Sequence, residues 1–551
     1  MPFPGRFRLF SGTLFLAACG SGGTGPSAPS CSSYLDLTLA PGAHQLVDAS
    51  AESACIRFPA ASAEQEYLMV AYSGAGSETS SGVSGGFRLT TSAEESALFA
   101  RQSLPGMRFA HQRTPGGFHN SLRQAEADLV RAGLAALQQG VPASALRDLP
   151  VVGQKQQFNV CKTDECKAFT PITATVRLVG SEGVIYVDDV LREGAEELTG
   201  DDLQYLGDLF DRFLFPIDTT AFGAVSDLNA DQRVAIVITD QVNDLSPDCT
   251  EGRIVGYFYG GDLLYANPGS NKQEVFFTFA PSPATPTCPA VTRSSAVRNL
   301  PWVLIHELQH MISFNEHVLR RGQNDESTWL NEGLSHFAEE LGHRFIPDEM
   351  CPLHPSCFAQ FAGGNLDNAY AYLEFPEETF LIPPTSSGPS LAGRGAAWLF
   401  VRWLADHFSV DTLSGRQLTR ALLSQGGSAT AKISSFTGQP FERLVGEWLL
   451  ANQLENLEGF PQTGRLRYRT WNLRATYAAN YPHIYDRPYP LLILPTNGNL
   501  VRNGTLRGGT GDYLRVLVPA NVSITAQLSG PEGKGQVAVQ VRPHLAVARI
   551  K

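Results

Sequence analysis

Residues 301 to 315 read PWVLIHELQHMISFN, and the pair His306 and His310 inside this apolar run constrains the fold more than any other feature of the chain. Four residues advance a helix by about 400°, so the two imidazoles lie on one face, a turn apart, and can bind one ion. Glu307 is turned about 100° from His306 and stays beside the cleft, where its carboxylate reaches a water on the ion instead of ligating it. Val303, Leu304, Ile305, Leu308 and Ile312 would bury the remaining faces of the helix. Pro301 fits a helix start, or a kink if the helix begins near Ser294. The five-residue pattern can also arise by chance on an apolar helix, or as a hydrogen-bonded surface trio, so a second feature has to decide.

That feature lies downstream, in WLNEGLSHFAE at residues 329 to 339. A second apolar-periodic helix begins there after the capping-type residues Asp325 and Ser327, and it supplies Glu332 as a third ligand. Two histidines and one carboxylate leave a coordination position open for water, which is the catalytic form of a zinc site; a closed structural site would use four protein ligands. His336 follows Glu332 by one turn on the same face and reads as supporting the ligands or facing substrate. Glu339, two turns beyond Glu332, reads locally as an ordinary solvated helix residue.

HELQH followed by WLNEGLSHFAEE resembles the gluzincin metallopeptidases. The wording of residues 220 to 460, with SDLNADQRVAIVITD, SNKQEVFF and RGAAWLFVRWLADHF, is most similar to the hyicolysin-type bacterial secreted peptidases. The resemblance implies one zinc ion held by His306, His310 and Glu332, Glu307 as general base, and Glu339 holding a ligand histidine by its other ring nitrogen. It also implies protein or peptide substrates. Many gluzincins use a downstream Tyr or His to stabilise the oxyanion; Tyr370, Tyr372 and Arg394 are candidates by type and could equally be structural. Aminopeptidase members carry Gly-x-Met-x-Asn upstream of the zinc helix, and no such segment precedes His306. That favours an endopeptidase in which an edge strand, near Gly256 to Tyr259 or Val275 to Phe279, pairs with an extended substrate. Two rivals remain open: an aminopeptidase, and a surface adhesin or carbohydrate-binding protein on a zincin scaffold.

The 551 residues allow several cores, and with 17% charged and 43% hydrophobic residues the whole chain cannot be disordered. A net charge of −12 with no basic run argues against nucleic acid as a partner. The expected fold class is α+β: a zincin-like catalytic domain, made of a mixed-sheet half and a helical half, flanked by N- and C-terminal β-modules. The sequence divides into 31–115, a β-sandwich-like module (SYLDLTL, HQLVDA, CIRFPA, EYLMVAYSG, FRLTT), and 116–149, a helical linker. Residues 150–293 form the sheet half of the catalytic domain, 294–461 the helical half with the metal site, and 462–551 a β-module (YPLLILP, YLRVLVP, SITAQLS, QVAVQVR).

Residues 1–18 have the charged start and short apolar stretch of an export signal, and 19–30 are a flexible tether. Leu16-Ala17-Ala18-Cys19 resembles the lipobox of bacterial lipoproteins, which implies a lipid anchor at Cys19. The implied location is the cell envelope, at the outer membrane if the host is Gram-negative; an ordinary signal peptide would instead give a secreted protein. Besides Cys19 there are eight cysteines, an even number that suits an oxidising compartment. Short loops close most easily, so the expected pairs are Cys31 with Cys55, Cys161 with Cys166, Cys249 with Cys288, and Cys351 with Cys357. Cys351-x-x-His354-x-x-Cys357 could otherwise bind a metal. Asp227, Asn229 and Asp231 have calcium-loop spacing, but a polar turn explains them as well.

Overall fold

The computed structural model describes residues 31–49, 54–93, 117–133, 149–250, 252–493 and 495–551. The expected export signal at 1–18, the expected lipid anchor at Cys19 and the expected tether at 19–30 lie outside the described residues. The architecture is α+β, with strands at both ends of the chain and a mixed-sheet-plus-helix body between them.

Alternating apolar runs near the N-terminus form β1 (Leu35–Asp36), β2 (His44–Asp48), β3 (Ala54–Phe58), β4 (Gln65–Ser73) and β5 (Ser84–Ala93). The helix α1 (Gly117–Arg131) follows. The central sheet comprises β6 (Lys155–Cys161), β7 (Phe169–Val179), β8 (Gly183–Asp188), β9 (Val234–Ile238), β10 (Gly256–Phe258) and β11 (Val275–Thr278). Its order is β10-β11-β9-β8-β7-β6. The runs GVIYVD and VAIVI have no polar face before their last residue, so β8 and β9 are buried on both sides and pair in parallel at the sheet centre. β10 is the outer strand, antiparallel to β11.

Five helices matter for the site: α2 (Arg293–Phe314), α3 (Thr328–Phe345), α4 (Gly363–Glu374), α5 (Leu391–Phe408) and α6 (Phe441–Leu454). α2 packs against β10 and β11 on one side and against α3 on the other. It is capped by Thr292, whose side chain accepts from the Ser295 amide, so Pro301 lies inside the helix and does not start it. At Gly395 on α5 an added Cβ would stand 2.2 Å from the backbone of Asn368. Only glycine lets α4 and α5 approach so closely.

The terminal strands hold the main departure from the expected organisation. β12 (Pro495–Asn497), β13 (Leu500–Arg507), β14 (Gly511–Val518), β15 (Ile524–Ser529) and β16 (Pro543–Arg549) do not make a sheet of their own. They interleave with the N-terminal strands in two sheets, β1-β3-β15-β5-β13 and β12-β14-β4-β16-β2, that enclose one core around Ile56, Phe58, Met69, Phe87, Val516 and Leu545. β4 sits between β14 and β16, so both terminal segments contribute strands to each sheet and side chains to the one core. The opposite face of β4, Leu68, Val70 and Tyr72, belongs to the core of the central body. The Tyr72 hydroxyl donates to the Glu442 carbonyl of α6 at 3.0 Å, and the Tyr513 hydroxyl donates to that of Leu449 at 2.9 Å.

All four expected disulfides form: Cys31–Cys55, Cys161–Cys166, Cys249–Cys288 and Cys351–Cys357. The last removes the metal alternative at Cys351 and Cys357. His354 between them lies 3.3 Å from the Arg298 carbonyl.

Candidate metal centre

α2 and α3 cross so that HELQH faces the middle of α3, and the ligand atoms of His306, His310 and Glu332 all lie within 4.8 Å of one another. The Nε2 atoms of His306 and His310 are 3.2 Å apart, and Glu332 oxygens stand 3.6 Å and 3.9 Å from them. Donors about 2.0–2.1 Å from a tetrahedral ion stand about 3.3–3.4 Å from each other, so these three are spaced to share one ion. Both Glu332 oxygens are buried, and apart from the ion pair with Arg394 neither has a hydrogen-bond partner among the described residues, a state that an ion would relieve. The residues therefore fit zinc.

A second trio, His306, His336 and Glu339, also lies within 4.8 Å. It does not compete for the ion. Oε1 of Glu339 is 2.6 Å from Nδ1 of His306, a hydrogen-bond distance too short for two donors on one tetrahedral ion. Glu339 thus fixes the His306 ring from behind and leaves Nε2 for the centre. His336 Nδ1 lies 3.1 Å from the same oxygen, and its ring packs edge-on to that of His306. Glu340, one residue on, turns to the far side of α3. There it accepts from Trp398 and Trp471 and pairs with Arg402.

Burial pulls the His306 imidazole down, but Glu332 and Glu339 outweigh it and raise its pKa to about 10. Burial holds His310 well below the ordinary range, as a neutral ligand requires. Ser335 Oγ is 3.2 Å from His310 Nδ1. Burial pushes the Glu332 carboxyl up; Arg394 and the two histidines reverse this and hold it well below the carboxylate range. Arg394 Nη1 lies 2.8 Å from Glu332 Oε2, while its Nε and Nη2 are buried without partners.

Glu307 is buried and its Oε2 accepts from the Phe258 amide of β10 at 2.8 Å. Burial is the main cause of its raised pKa, countered by His306 and Arg123. The carboxylate lines a cleft of about 720 Å³ together with His306, His336, Glu339, Arg394 and Trp302.

The other sequence candidates fall elsewhere. Tyr370 is stacked on Tyr485, and its hydroxyl accepts from the Arg487 amide at 3.0 Å. Tyr372 is fully buried against Trp448. Both are thereby removed from the cleft, because they lie on the side of α4 that packs into the core and the C-terminal segment. Asp227, Asn229 and Asp231 spend their side chains on a turn: Asp227 and Asp231 accept from the amides of Gln232 and Arg233, and Asn229 donates to Asp231. Calcium is not supported there. Sequence reasoning did not anticipate that the Phe258 amide would hold Glu307, nor that α1 would enter the cleft. Nothing local marks either one.

No protein-family model matches the chain. The neutral metalloprotease ShpI of Staphylococcus hyicus is 29% identical over 145 residues, which are 26% of this chain and 32% of that protein. The chain therefore matches about a third of the length of this relative. Among solved structures, the M1 zinc metallopeptidase of Deinococcus radiodurans is 14% identical with a TM-score of 0.27, over 53% of this chain and 51% of that one. A mutant of that enzyme bound to a Tyr-Ser-Ala substrate is 12% identical with a TM-score of 0.28, over 57% of this chain and 61% of that one. At TM-scores this low, the two solved structures bear on neither fold nor activity.

Proposed function

We propose that the chain is an exported zinc-dependent endopeptidase that hydrolyses peptide bonds in proteins. The observation that carries this reading is the convergence of His306 Nε2, His310 Nε2 and the buried Glu332 carboxylate beside Glu307, in a cleft that reaches an edge strand. The partial similarity to a neutral metalloprotease agrees with it.

Zinc held by His306, His310 and Glu332 would supply Lewis acidity toward the scissile carbonyl and a water of lowered pKa. Glu307 accepts a proton from the attacking water and returns it to the leaving amine. The Phe258 amide anchors one oxygen of that carboxylate, so the base is positioned before substrate arrives. Arg394 orients Glu332, and its unpartnered Nε and Nη2 make it the better oxyanion donor now that both tyrosines lie outside the cleft. Export is supported by the four disulfides, which suit an oxidising compartment. The lipid anchor at Cys19 belongs to the same reading. No helix among the described residues is long and apolar enough to cross a membrane.

The test is zinc content together with cleavage-site mapping on a denatured protein mixture, with and without chelator. Internal cuts that vanish with chelator and return with zinc are expected. Release of N-terminal residues alone would indicate an aminopeptidase, and bound zinc with no turnover would favour the binding-protein rival.

A further inference from the structure

β10 is the outer strand of the central sheet and borders the metal centre, so its free edge is where an extended peptide would pair. That edge is already taken. Phe258 pairs with Phe276 of β11, and its own amide donates to Glu307. The Phe258 carbonyl accepts from the Arg123 guanidinium of α1, and the Gly260 amide donates to Glu126 of the same helix. Arg123 and Glu126 are paired with each other at 2.9 Å, and both are buried.

The rest of α1 extends this seating. Phe118 packs edge-on against Tyr257 at 5.5 Å, and Asn120 donates to the Ser387 carbonyl on the loop before α5. His119 enters the cleft that holds His306, Glu307 and Arg394, and its Nδ1 is buried with no hydrogen-bond partner. α1 thus copies a bound peptide in two respects: polar groups on the strand edge and a side chain directed at the metal centre. A helix merely completing the core would bury an apolar stripe. This one buries Phe118 and Leu122 together with an ion pair addressed to the strand backbone.

We infer that residues 117–131 are an intramolecular occupant of the substrate cleft, so that the chain as described is a latent form whose edge strand is freed when α1 leaves. This rests on the peptidase reading above. It implies that the natural occupant of the edge is an extended peptide, and that α1 and substrate exclude each other.

The experiment uses the full-length, zinc-loaded chain with both α1 charges removed together, Arg123→Ala with Glu126→Ala, so that neither is left buried alone. A second variant, Phe118→Ala with Leu122→Ala, loosens the same helix through its apolar contacts. Two quantities are read: hydrogen exchange at the Gly260 amide, and cleavage of an internally quenched peptide per bound zinc. The expected result is faster exchange and at least a tenfold rise in cleavage in both variants. A synthetic peptide of residues 117–131 should reverse the rise, and the same peptide carrying both alanines should not. Faster exchange with unchanged or lower cleavage would show that α1 is a wall of the cleft and overturn the inference while leaving the peptidase reading intact. Unchanged exchange at Gly260 would overturn the assigned contacts. Zinc-loaded protein that cleaves nothing in any form would overturn the peptidase reading, and this inference with it.

Discussion

Oε1 of Glu339 lies 2.6 Å from Nδ1 of His306, two turns along α3 from Glu332. One helix therefore contributes both a carboxylate facing the ion site and a carboxylate behind the histidine that shares it. The two should be separable by mutation. Glu339→Ala leaves the three donors in place but frees the His306 ring, so zinc affinity should fall by roughly 10 to 100 fold. Glu332→Ala removes a donor and should weaken binding far more. Competition against a chelator of known affinity measures both; equal and negligible losses would place the third ligand elsewhere.

Arg394 acts on the same carboxylate from the opposite side, at 2.8 Å from Glu332 Oε2. Arg394→Met keeps most of the side-chain volume and removes the charge. Glu332 would then sit buried beside the histidines with its strongest cationic partner gone, so without metal its pKa should rise. The expected outcome is weaker zinc binding whose pH dependence moves upward, together with lower kcat if the free guanidinium nitrogens serve the oxyanion. A variant with wild-type affinity at every pH would remove Arg394 from the centre.

Glu447 on α6 joins the sandwich to the central body, since its carboxylate meets His44 of β2 at 3.6 Å and Arg465 at 2.5 Å. Burial raises its pKa, but hydrogen bonds from His44, Arg465 and Arg443 prevail and bring it to about 2, below the ordinary 4.5. A depressed carboxyl contributes stability that is complete above the unfolded value and is lost as pH falls toward the folded one. Glu447→Gln should therefore lower stability at pH 7 by on the order of 2 kcal/mol, and the deficit should close between about pH 5 and pH 2. Denaturant midpoints at pH 7, 5 and 3 test this, and a deficit that persists unchanged at pH 3 would assign the effect to packing.

The eight cysteines of residues 31 to 357 are paired among themselves, so alkylation of the oxidised protein before reduction should label none of them. Label at Cys351 and Cys357 with metal retained would reopen the site around His354.

The site was legible where its chemistry is local. Two histidines four apart and a glutamate on the next apolar helix specify donors and faces, and α2 and α3 bring those residues together. What a helical period cannot say is which element it meets. Glu339 and Glu340 look alike in FAEE, and only the arrival of Trp398, Arg402 and Trp471 on one side sends the second into the core. Tyr370 and Tyr372 fail as candidates for the same reason. In the sheets, β8 and β9 were readable because both their faces are buried, and β6 and β7 because they alternate buried and more exposed positions. QVAVQVR was not, since it lies mostly outside the strands: Val539 is exposed, Arg542 has φ 47°, and only β16 just beyond it pairs. The interleaved sandwich left no trace in either terminal segment because β4 and β14 are more than four hundred residues apart in the chain yet adjacent in space. The destination of α1 was hidden likewise, since an amphipathic segment with buried Arg123 and Glu126 reads locally as a solvated linker.

Glu307→Gln isolates the chemistry most cleanly. Glutamine has nearly the size and helix propensity of glutamate, and its carbonyl oxygen can still accept from the Phe258 amide that now holds Oε2 at 2.8 Å. The side chain should therefore stay in place while losing the ability to take a proton from water at neutral pH. Hydrolysis should fall by at least about a hundredfold, the lower range for lost general-base catalysis. Zinc should remain at one ion per chain, because Glu307 is outside the donor set formed by His306, His310 and Glu332. His306→Ala provides the contrast, since it removes a donor and should lose zinc and hydrolysis together. Metal analysis and peptide cleavage on the same samples decide the matter: Glu307→Gln with full zinc and wild-type turnover would falsify the general-base role, and Glu307→Gln without zinc would make Glu307 part of the metal site.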